Sequence, residues 1–357
     1  MKKKSKITEG FFLFILIFSL FALHFSSSTS LADEVRSRAA VVMDASTGKI
    51  LYAKNPDLKC LPASTTKLMT AILAIENKDL RDIVTISRNV SLTPPHKAGF
   101  KAGDRVTVEK LLYAALIGSA NDAAVALAEA VAGSETRFVE LMNRKAAAIG
   151  AMDTKFINPN GLPGPGQHIT ASDLAKIMNY ALRYPKLKEI IGTRVAEIST
   201  ERGKAIFLRN TNRLLWSDED LVGGKTGFTQ KARHCFVCAA ERSNDTILVA
   251  LLGSPSRSDL WRESEILIDK GFEVMANRQN PSIYLVKAED ITDPEKTFYK
   301  KKSKSRSGKR LVVKKITNHR KAKLCAKKKG KAKVFAKRKA KRNCHVAKRE
   351  SAERNKG

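Results

Sequence analysis

The sequence predicts an α+β fold, in which an antiparallel sheet assembled from both ends of the chain packs against a block of helices. Three observations lead to this prediction. β-rich runs occupy residues 39–55, strand-like runs return after residue 194, and helical periodicity dominates between them. Because strands from both ends can bury their apolar faces in one shared sheet, this order favours α+β over an alternating architecture.

Each element has a local signal. A turn at Ser46, Thr47 and Gly48 predicts a hairpin, and Ser134 and Thr170 are expected to cap the helices that follow them, because their hydroxyls can accept from unpaired backbone N–H groups. The helices are predicted from Pro62, then at 108–118, 121–133, 134–150, 170–183 and 259–275. The later strands are VAEIST, KAIFLRN, KTGFT, RHCFVCAAE and DTILVALLGS.

The first 32 residues are predicted to be a signal peptide. A lysine-rich start precedes an apolar run over residues 11–25, and Ser30-Leu31-Ala32 supplies small residues for cleavage. This run is short for a spanning helix, so an uncleaved anchor is the less favoured alternative. Under either interpretation the rest of the chain is exported.

The net charge of +31 is concentrated at the C-terminus. From Lys300 onward lie 26 of the 66 Lys and Arg residues with only two glutamates, so this segment carries about +24. Such a low-complexity segment cannot bury enough apolar surface to offset its ordering entropy. The sequence therefore predicts a domain over 33–280, a linker over 281–299 and a disordered basic tail over 300–357.

The five cysteines do not indicate a metal site. Cys235 and Cys238 have CxxC spacing, but no second pair or histidine cluster completes a zinc set, and in a strand the two would face opposite sides. We expect buried structural cysteines, and no metal or cofactor. The other three are Cys60, Cys325 and Cys344.

Three motifs carry the chemistry. Ser64 and Lys67 lie one turn apart at a predicted helix start, where a lysine of lowered pKa can deprotonate a serine. Ser119-Ala120-Asn121 falls in a turn between two helices, and Lys225-Thr226-Gly227 opens a strand. SxxK alone is weak, but SxxK, SxN and KTG together in this order are specific to penicillin-recognising serine enzymes.

With these motifs, residues 35–275 resemble the D-alanyl-D-alanine carboxypeptidases, the low-molecular-weight penicillin-binding proteins. PASTTKLMTAILAIE, LLYAALIGSANDAAVALAEAVAG, FINPNGLPGPGQHITASDLAKIM and GGKTGFTQKARHCFVCAA all look like that family. The resemblance implies a β-lactamase/transpeptidase-like fold. The third segment lacks the glutamate-bearing ExxLN loop of class A β-lactamases, which disfavours fast hydrolysis of antibiotics.

The resemblance also implies roles. Ser64 would attack the carbonyl between two D-alanines, Lys67 would take its proton, and Ser119 would relay a proton to the leaving D-alanine. Asn121 would bind the substrate amide, and backbone N–H groups of Ser64 and Phe228 would form an oxyanion hole. The other expected substrate-binding residues are Lys225, Thr226, Gly227 and Arg257, the last being equally consistent with a solvated loop residue.

Four further residues attract attention because their types are rare here. His168 is expected to position the loop before the fifth helix, and His234 to pack locally. Trp216 and Trp261 are expected in the core or a cleft wall.

The implied function is an exported serine D-Ala-D-Ala carboxypeptidase, on the periplasmic or wall side of the bacterial cytoplasmic membrane. Its expected partners are peptidoglycan stem peptides, with β-lactams as covalent inhibitors. Where many relatives carry a second β-rich domain and an amphipathic helix, this chain has its basic tail, which could bind anionic lipid or wall polymers or have no specific partner. Export argues against nucleic acid. The alternatives are a DD-endopeptidase using the same residues, and a non-catalytic wall- or polyanion-binding protein.

Overall fold

The strands of the computed structural model, which describes residues 35–285, form one large sheet and two small ones. The described strands are β1 (Ala39–Asp44), β2 (Ile50–Lys54), β3 (Ile83–Thr85), β4 (Arg105–Thr107), β5 (Val195–Ser199), β6 (Ala205–Arg209), β7 (Leu221–Thr229), β8 (Arg233–Arg242), β9 (Asp245–Ser254) and β10 (Ser282–Tyr284). The large sheet has the order β10-β2-β1-β9-β8-β7, and β3 pairs with β4 and β5 with β6.

The predicted sheet from both chain ends is confirmed. β1 forms the expected hairpin with β2 and pairs on its other side with β9, antiparallel in both cases. β7, β8 and β9 continue the sheet as antiparallel neighbours. The parallel strand β10, on the outer edge of β2, lies within the stretch predicted as a linker.

Helices cover both faces of this sheet. The described helices are α1 (Lys67–Asn77), α2 (Arg88–Ser91), α3 (Val108–Leu116), α4 (Asn121–Ala132), α5 (Glu135–Ala148), α6 (Ala171–Ala181), α7 (Pro185–Gly192) and α8 (Arg257–Met275), with 3₁₀ turns at Ala63–Thr66 and Arg213–Trp216. Ser134 and Thr170 cap α5 and α6 as predicted, each accepting from the N–H three residues later. Such a cap stabilises a helix by about 1 kcal/mol.

The core lies in two layers, one on each side of the sheet. Alternate strand residues such as Val41 and Val237 face the helical block, while Val42 and Phe236 face α8. This alternation follows from the two-residue period of a strand with both faces buried. The result is a helix–sheet–helix arrangement that holds β7, with its KTG sequence, at one edge of the large sheet.

The predicted signal peptide and basic tail, with Cys325 and Cys344, lie outside the described residues. Internal contacts divide the chain into Met1–Lys287 and Ala288–Gly357, and the described residues belong to the first unit. None of the helices in the described part is long and apolar enough to cross a membrane.

Candidate active site

Ser64 lies in the 3₁₀ turn that leads into α1, with Lys67 at the first position of the helix. The residue before Ser64, Ala63, has a left-handed φ of 48°, which is uncommon for a residue with a Cβ. Lys67 Nζ is 3.0 Å from Ser64 Oγ. The helix start thus brings the predicted nucleophile and base into direct contact.

Lys67 is fully buried, and its hydrogen-bond acceptors are neutral groups rather than carboxylates. Its Nζ donates to Asn121 Oδ1 and to the Asn160 carbonyl, each at 2.8 Å. Burial, and secondly the charge of Lys225, lower the pKa of Lys67 well below its ordinary value, while Asp122 opposes this shift. A neutral amine has two N–H donors and one lone pair. Two acceptors and one hydroxyl therefore suit Lys67 as a base for Ser64.

Ser119 occupies the turn between α3 and α4 and also has a left-handed backbone, with φ of 56°. Lys225 Nζ donates to Ser119 Oγ and to the Thr226 carbonyl, both at 2.9 Å. Lys225 is completely buried, and burial lowers its pKa to about 7. Lys225 therefore changes its charge near neutral pH.

β7 passes close to the catalytic turn at Gly227. A Cβ on Gly227 would lie 2.9 Å from the Ser64 nitrogen and 3.0 Å from the Ala63 Cβ, closer than side chains normally approach. Glycine is therefore required here for the strand to lie against Ser64. One residue earlier, Thr226 Oγ1 is 2.6 Å from Thr211 Oγ1.

A cavity of about 330 Å³, named here the catalytic cavity, opens above these contacts. Lys67, Asn121 and Lys225 lie buried beneath it. Arg257, whose position was uncertain from the sequence, lines the cavity wall, and its side chain forms no hydrogen bond or ion pair with another described residue. The cavity is lined by Ser64, His96, Ser119, Thr211, Thr226, Gly227, Phe228, His234, Arg257, Leu260 and Trp261.

Sequence reasoning missed four residues around the site. Asn160 contributes only its backbone carbonyl, and Thr211 its contact with Thr226. The buried Asp122 carboxylate accepts from the backbone of residues 98–100, which holds the loop that carries His96. Burial and the two lysines lower the pKa of His96, against a hydrogen bond to the Gly118 backbone. The NPNG and SAND sequences were signals that could have indicated Asn160 and Asp122, but no sequence pattern marks His96 or Thr211.

The remaining expectations can be compared with the structure directly. Cys235 and Cys238 are buried and pack into opposite core layers, as predicted, and both thiols are free. His168 joins a backbone bridge to Lys155 just before α6, and His234 packs on Phe228 with ring centroids 4.5 Å apart. Both tryptophans line cavity walls.

Burial raises the pKa of the Cys235 thiol to about 12, so it is inert. Within residues 35–285, no group of three or more His, Cys, Asp or Glu side chains could hold a metal ion.

Comparison with known proteins agrees with this geometry. Residues 26–256 match the model of the D-alanyl-D-alanine carboxypeptidase family, a span that contains the three motifs. The chain belongs to this family. It is accordingly a serine-type hydrolase of the penicillin-binding class.

Members of the family with assigned activities are about one-third identical to this chain. D-alanyl-D-alanine carboxypeptidase DacF of Bacillus subtilis is 33% identical over 274 residues, which are 75% of this chain and 70% of DacF. DacC of Escherichia coli is 35% identical over 73% of this chain and 66% of its own length. A D-alanyl-D-alanine endopeptidase of Pseudomonas aeruginosa is 35% identical over 58% and 68%.

Solved structures share the fold. The DD-transpeptidase of Streptomyces K15 superposes with a TM-score of 0.63 at 30% identity, covering 67% of this chain and 97% of that one. A penicillin-binding protein homologue of Mycobacterium tuberculosis gives a TM-score of 0.65 at 31% identity, covering 70% and 95%. The predicted transpeptidase-like fold is thereby confirmed.

Proposed function

We propose that this protein is an exported D-Ala-D-Ala carboxypeptidase that removes the terminal D-alanine from peptidoglycan stem peptides. The observation that carries the proposal is the contact between Lys67 Nζ and Ser64 Oγ, 3.0 Å apart in a site where burial lowers the pKa of the lysine. A hydroxyl needs an adjacent base to become a nucleophile, and this pair supplies one. Relatives named carboxypeptidases support the substrate class.

The first half of the reaction would form an acyl-enzyme. Ser64 Oγ attacks the carbonyl carbon of the penultimate D-alanine while its proton passes to Lys67 Nζ. Backbone N–H groups of Ser64 and Phe228 stabilise the resulting oxyanion, a contribution of about 3–4 kcal/mol for one donor in comparable enzymes. The C–N bond then breaks, and the leaving amine takes through Ser119 the proton that Lys67 accepted, so that Lys67 is neutral again. This requires Ser119 to be oriented, which the contact with Lys225 does.

The second half would hydrolyse the ester. A water molecule gives a proton to Lys67 Nζ as its oxygen adds to the acyl carbon. Lys67 returns that proton to Ser64 Oγ as the ester C–O bond breaks, and the shortened peptide leaves with a new carboxyl group that ionises in water. Asn121 has its Oδ1 on Lys67 and its Nδ2 on the Pro95 carbonyl. A substrate amide that hydrogen-bonds Asn121 would therefore be held beside the base.

The leaving D-alanine ends in a carboxylate, which needs donors and positive charge. Thr226 and Arg257 both line the catalytic cavity, and Lys225 lies directly behind Thr226. An arginine can bind a carboxylate through two parallel N–H groups. We assign the terminal carboxylate to this end of the cavity, next to Thr211.

Release of D-alanine tests the proposal. Protein lacking residues 1–32 is incubated with a pentapeptide ending in D-Ala-D-Ala, beside the Ser64→Ala variant. We expect release and covalent labelling by penicillin, both lost in Ser64→Ala. A protein that neither releases D-alanine nor binds penicillin would contradict the function, and one that is labelled without releasing D-alanine would act on another peptide.

The proposal also includes where the enzyme is located and what its basic tail binds. A substrate in peptidoglycan lies outside the cytoplasm, which agrees with the predicted signal peptide. The charge of the predicted tail would hold the enzyme near anionic lipid or wall polymers, at about 1 kcal/mol per Lys or Arg close to an anionic surface. Cell fractionation of the full chain and of a chain ending at residue 299 would test both statements.

A further inference from the structure

A second cavity adjoins the catalytic cavity at the end where the terminal carboxylate is assigned. It encloses about 910 Å³ and shares Thr211, Arg257 and Trp261 with the catalytic cavity. Because Thr211 is bonded to Thr226, the shared wall lies where the terminal residue of a substrate would be held. The methyl group of a terminal alanine is too small to fill this space, whereas a longer side chain on the same residue has room to enter it.

The walls of the second cavity are cationic. Four arginines and one carboxylate, Glu265, line it, and its wall includes the first turn of α8, whose backbone N–H groups add partial positive charge. Arg262 lies 3.8 Å from Asp259, so its charge is partly balanced. Among residues 35–285, no carboxylate forms an ion pair with the other three, which are Arg209, Arg213 and Arg257. Since Arg257 is assigned to the terminal carboxylate, the first two remain for a second carboxylate of the substrate.

Two indole rings accompany these charges. The Arg209 guanidinium lies 5.3 Å from the centre of the Trp216 ring, which is 42% exposed, so the ring holds the arginine in place. Trp261 lies one turn after Arg257 on α8 and lines both cavities, and its buried indole N–H has no hydrogen-bond partner among the described residues. An acceptor oxygen at this wall would satisfy that donor. The rings also offer apolar surface to the methylene groups of an acidic side chain.

We propose that the second cavity binds the side chain of the substrate's C-terminal residue, so that the enzyme also cleaves stem peptides that end in an acidic D-amino acid and prefers these to peptides with a neutral residue of the same size. This inference rests on the proposed function, because it uses the same acyl transfer to Ser64. The amide bond of the penultimate D-alanine breaks as before, water supplies the hydroxyl of the new carboxyl group, and the leaving amine takes a proton. The products are the shortened peptide and a free acidic D-amino acid.

The shared wall explains why the side chain of the terminal residue would enter this cavity. The terminal carboxylate and the side chain branch from the same α-carbon, so a substrate held at Arg257 begins its side chain where the two cavities meet. The methylene groups of glutamate or aspartate then carry the second carboxylate toward Arg209 and Arg213. A lysine side chain would meet like charge there, and a glutamine side chain would supply no anion. Charge rather than size should therefore decide among long side chains.

The test compares pentapeptides that differ only in the residue after the penultimate D-alanine. That residue is D-Ala, D-Glu, D-Gln or D-Lys, and release of the free amino acid is measured. The test variant is Arg209→Gln with Arg213→Gln. The matched control is Arg137→Gln with Arg144→Gln, because both of these arginines are exposed on α5 and lie outside both cavities. Penicillin labelling of Ser64 verifies that each variant is folded.

We expect the wild-type protein to cleave the D-Glu peptide roughly three- to tenfold more efficiently than the D-Gln peptide, mainly through KM, because exposed arginines form weak ion pairs. The test variant should lose this preference, and the control should keep it. Arg209→Glu with Arg213→Glu should favour the D-Lys peptide over the D-Glu peptide. Binding of the uncut D-Glu peptide to Ser64→Ala protein should weaken by a similar factor with the two glutamine substitutions and with added salt.

Equal cleavage of the D-Glu and D-Gln peptides by the wild type, or a preference that survives in the test variant, would overturn the inference. Release of D-alanine from the D-Ala peptide would then leave the carboxypeptidase proposal standing. Absence of cleavage of all four peptides and of penicillin labelling would instead reject the proposed function. In that case the binding measurement still decides whether the second cavity recognises the acidic residue, because it needs no catalysis.

Discussion

At the scale of single residues, the site lowers the pKa of Lys67 by burying its amine without a carboxylate as hydrogen-bond partner. Its three close partners are the Ser64 hydroxyl, the Asn121 amide oxygen and the Asn160 carbonyl. A carboxylate in the same place would hold the proton on the amine and remove the base. Burial without a counter-ion is therefore the physical reason that a lysine can act where other serine hydrolases use a histidine.

Lys67→Arg should slow acylation strongly although it keeps a long side chain with nitrogen donors. A guanidinium does not lose its proton in proteins, so it cannot accept one from Ser64. We expect penicillin acylation to fall by about 10²–10⁴-fold, the usual contribution of a general base. Stopped-flow labelling measures this rate.

The Lys110→Arg variant is the control for that substitution, since Lys110 lies outside the catalytic cavity and donates to Ser199. It should react at the wild-type rate. Rapid acylation of Lys67→Arg would show that another group is the base.

The pH dependence of acylation should follow the lowered pKa of Lys67. The neutral amine is the reactive form, so the rate should fall as pH decreases through that pKa, far below the ordinary lysine value. Two pH profiles would contradict the assignment of Lys67 as the base. In one, the acylation rate stays constant until the pH drops below the range in which carboxylates titrate; in the other, the rate rises only near pH 10.

Lys225 should make the folded state more stable as pH rises. Its pKa is about 7 in the folded state, against 10.5 ordinarily, so between these values the unfolded chain binds a proton that the folded chain does not. The free energy of unfolding should then increase with pH by up to about 1.4 kcal/mol per unit across that window. Urea denaturation of wild type and Lys225→Met at pH 7 to 9 should give a shallower slope for the variant. Equal slopes for the wild type and the variant would show that Lys225 is not the cause of this pH dependence.

At the scale of elements, the catalytic turn is fixed by two neighbours that approach its backbone. β7 lies against it at Gly227, and the loop before α6 lies against it at Gly161. Gly161 has φ of +83°, and a Cβ there would fall 1.8 Å from the Ala63 carbonyl oxygen. The Asn160 carbonyl that contacts Lys67 belongs to this same loop. Displacement of the loop should therefore disturb the base as well as the turn.

Gly161→Ala should lose both stability and acylation. The added methyl group cannot fit without moving the backbone, which separates the Asn160 carbonyl from Lys67. Gly48→Ala is the control, because Gly48 has a similar φ of +73° but no atom within 4 Å of the added Cβ. The control should lose only about 1–2 kcal/mol from the left-handed conformation and keep its penicillin reactivity. Equal effects of the two substitutions on reactivity would disprove the steric argument.

Elements with a strong local signal could be predicted from the sequence. Periodicity, caps and turns predicted the hairpin, the five helices of the central block, the KTG strand and the four other strands near it in the sequence. The short helix α2 and the strands β3, β4 and β10 were missed because three or four residues show no period. α7, which Pro185 opens, was missed because no element was predicted between the helix at 170–183 and the strand from Val195.

The candidate site could be predicted only where side-chain identity carries the chemistry. Ser64, Lys67, Ser119, Asn121 and Lys225 were found because their types and order are distinctive, and the structure brings them together. The Asn160 contribution is a backbone carbonyl, which any residue could supply. The cavity lined by the Arg213–Trp216 turn and α8 depends on the tertiary approach of these two elements, which no local pattern encodes.

At the scale of the whole molecule, β10 marks the C-terminal limit of the described fold. Its Ser282, Ile283 and Tyr284 pair with β2, and the rings of Tyr284 and Tyr52 are 5.7 Å apart. A chain ending at residue 285 should therefore bind penicillin as the full chain does. A chain ending at residue 280 leaves β2 as an exposed sheet edge and should melt at a lower temperature and aggregate more readily. Equal melting temperatures of the two shortened chains would show that the stable domain ends before β10.

The position of β1 at the centre of the sheet has a consequence for how quickly the molecule can form. Val41 pairs with Ala250, so this ladder joins residues 209 positions apart (250 − 41). Contacts at such separation carry a large loop-closure entropy and place folding at the slow end of the range for single domains. During synthesis, the Ser64 turn emerges long before β7 and β9 can reach it. The nascent chain should thus acquire penicillin reactivity late and in one step, after the last strands of the sheet have been synthesised.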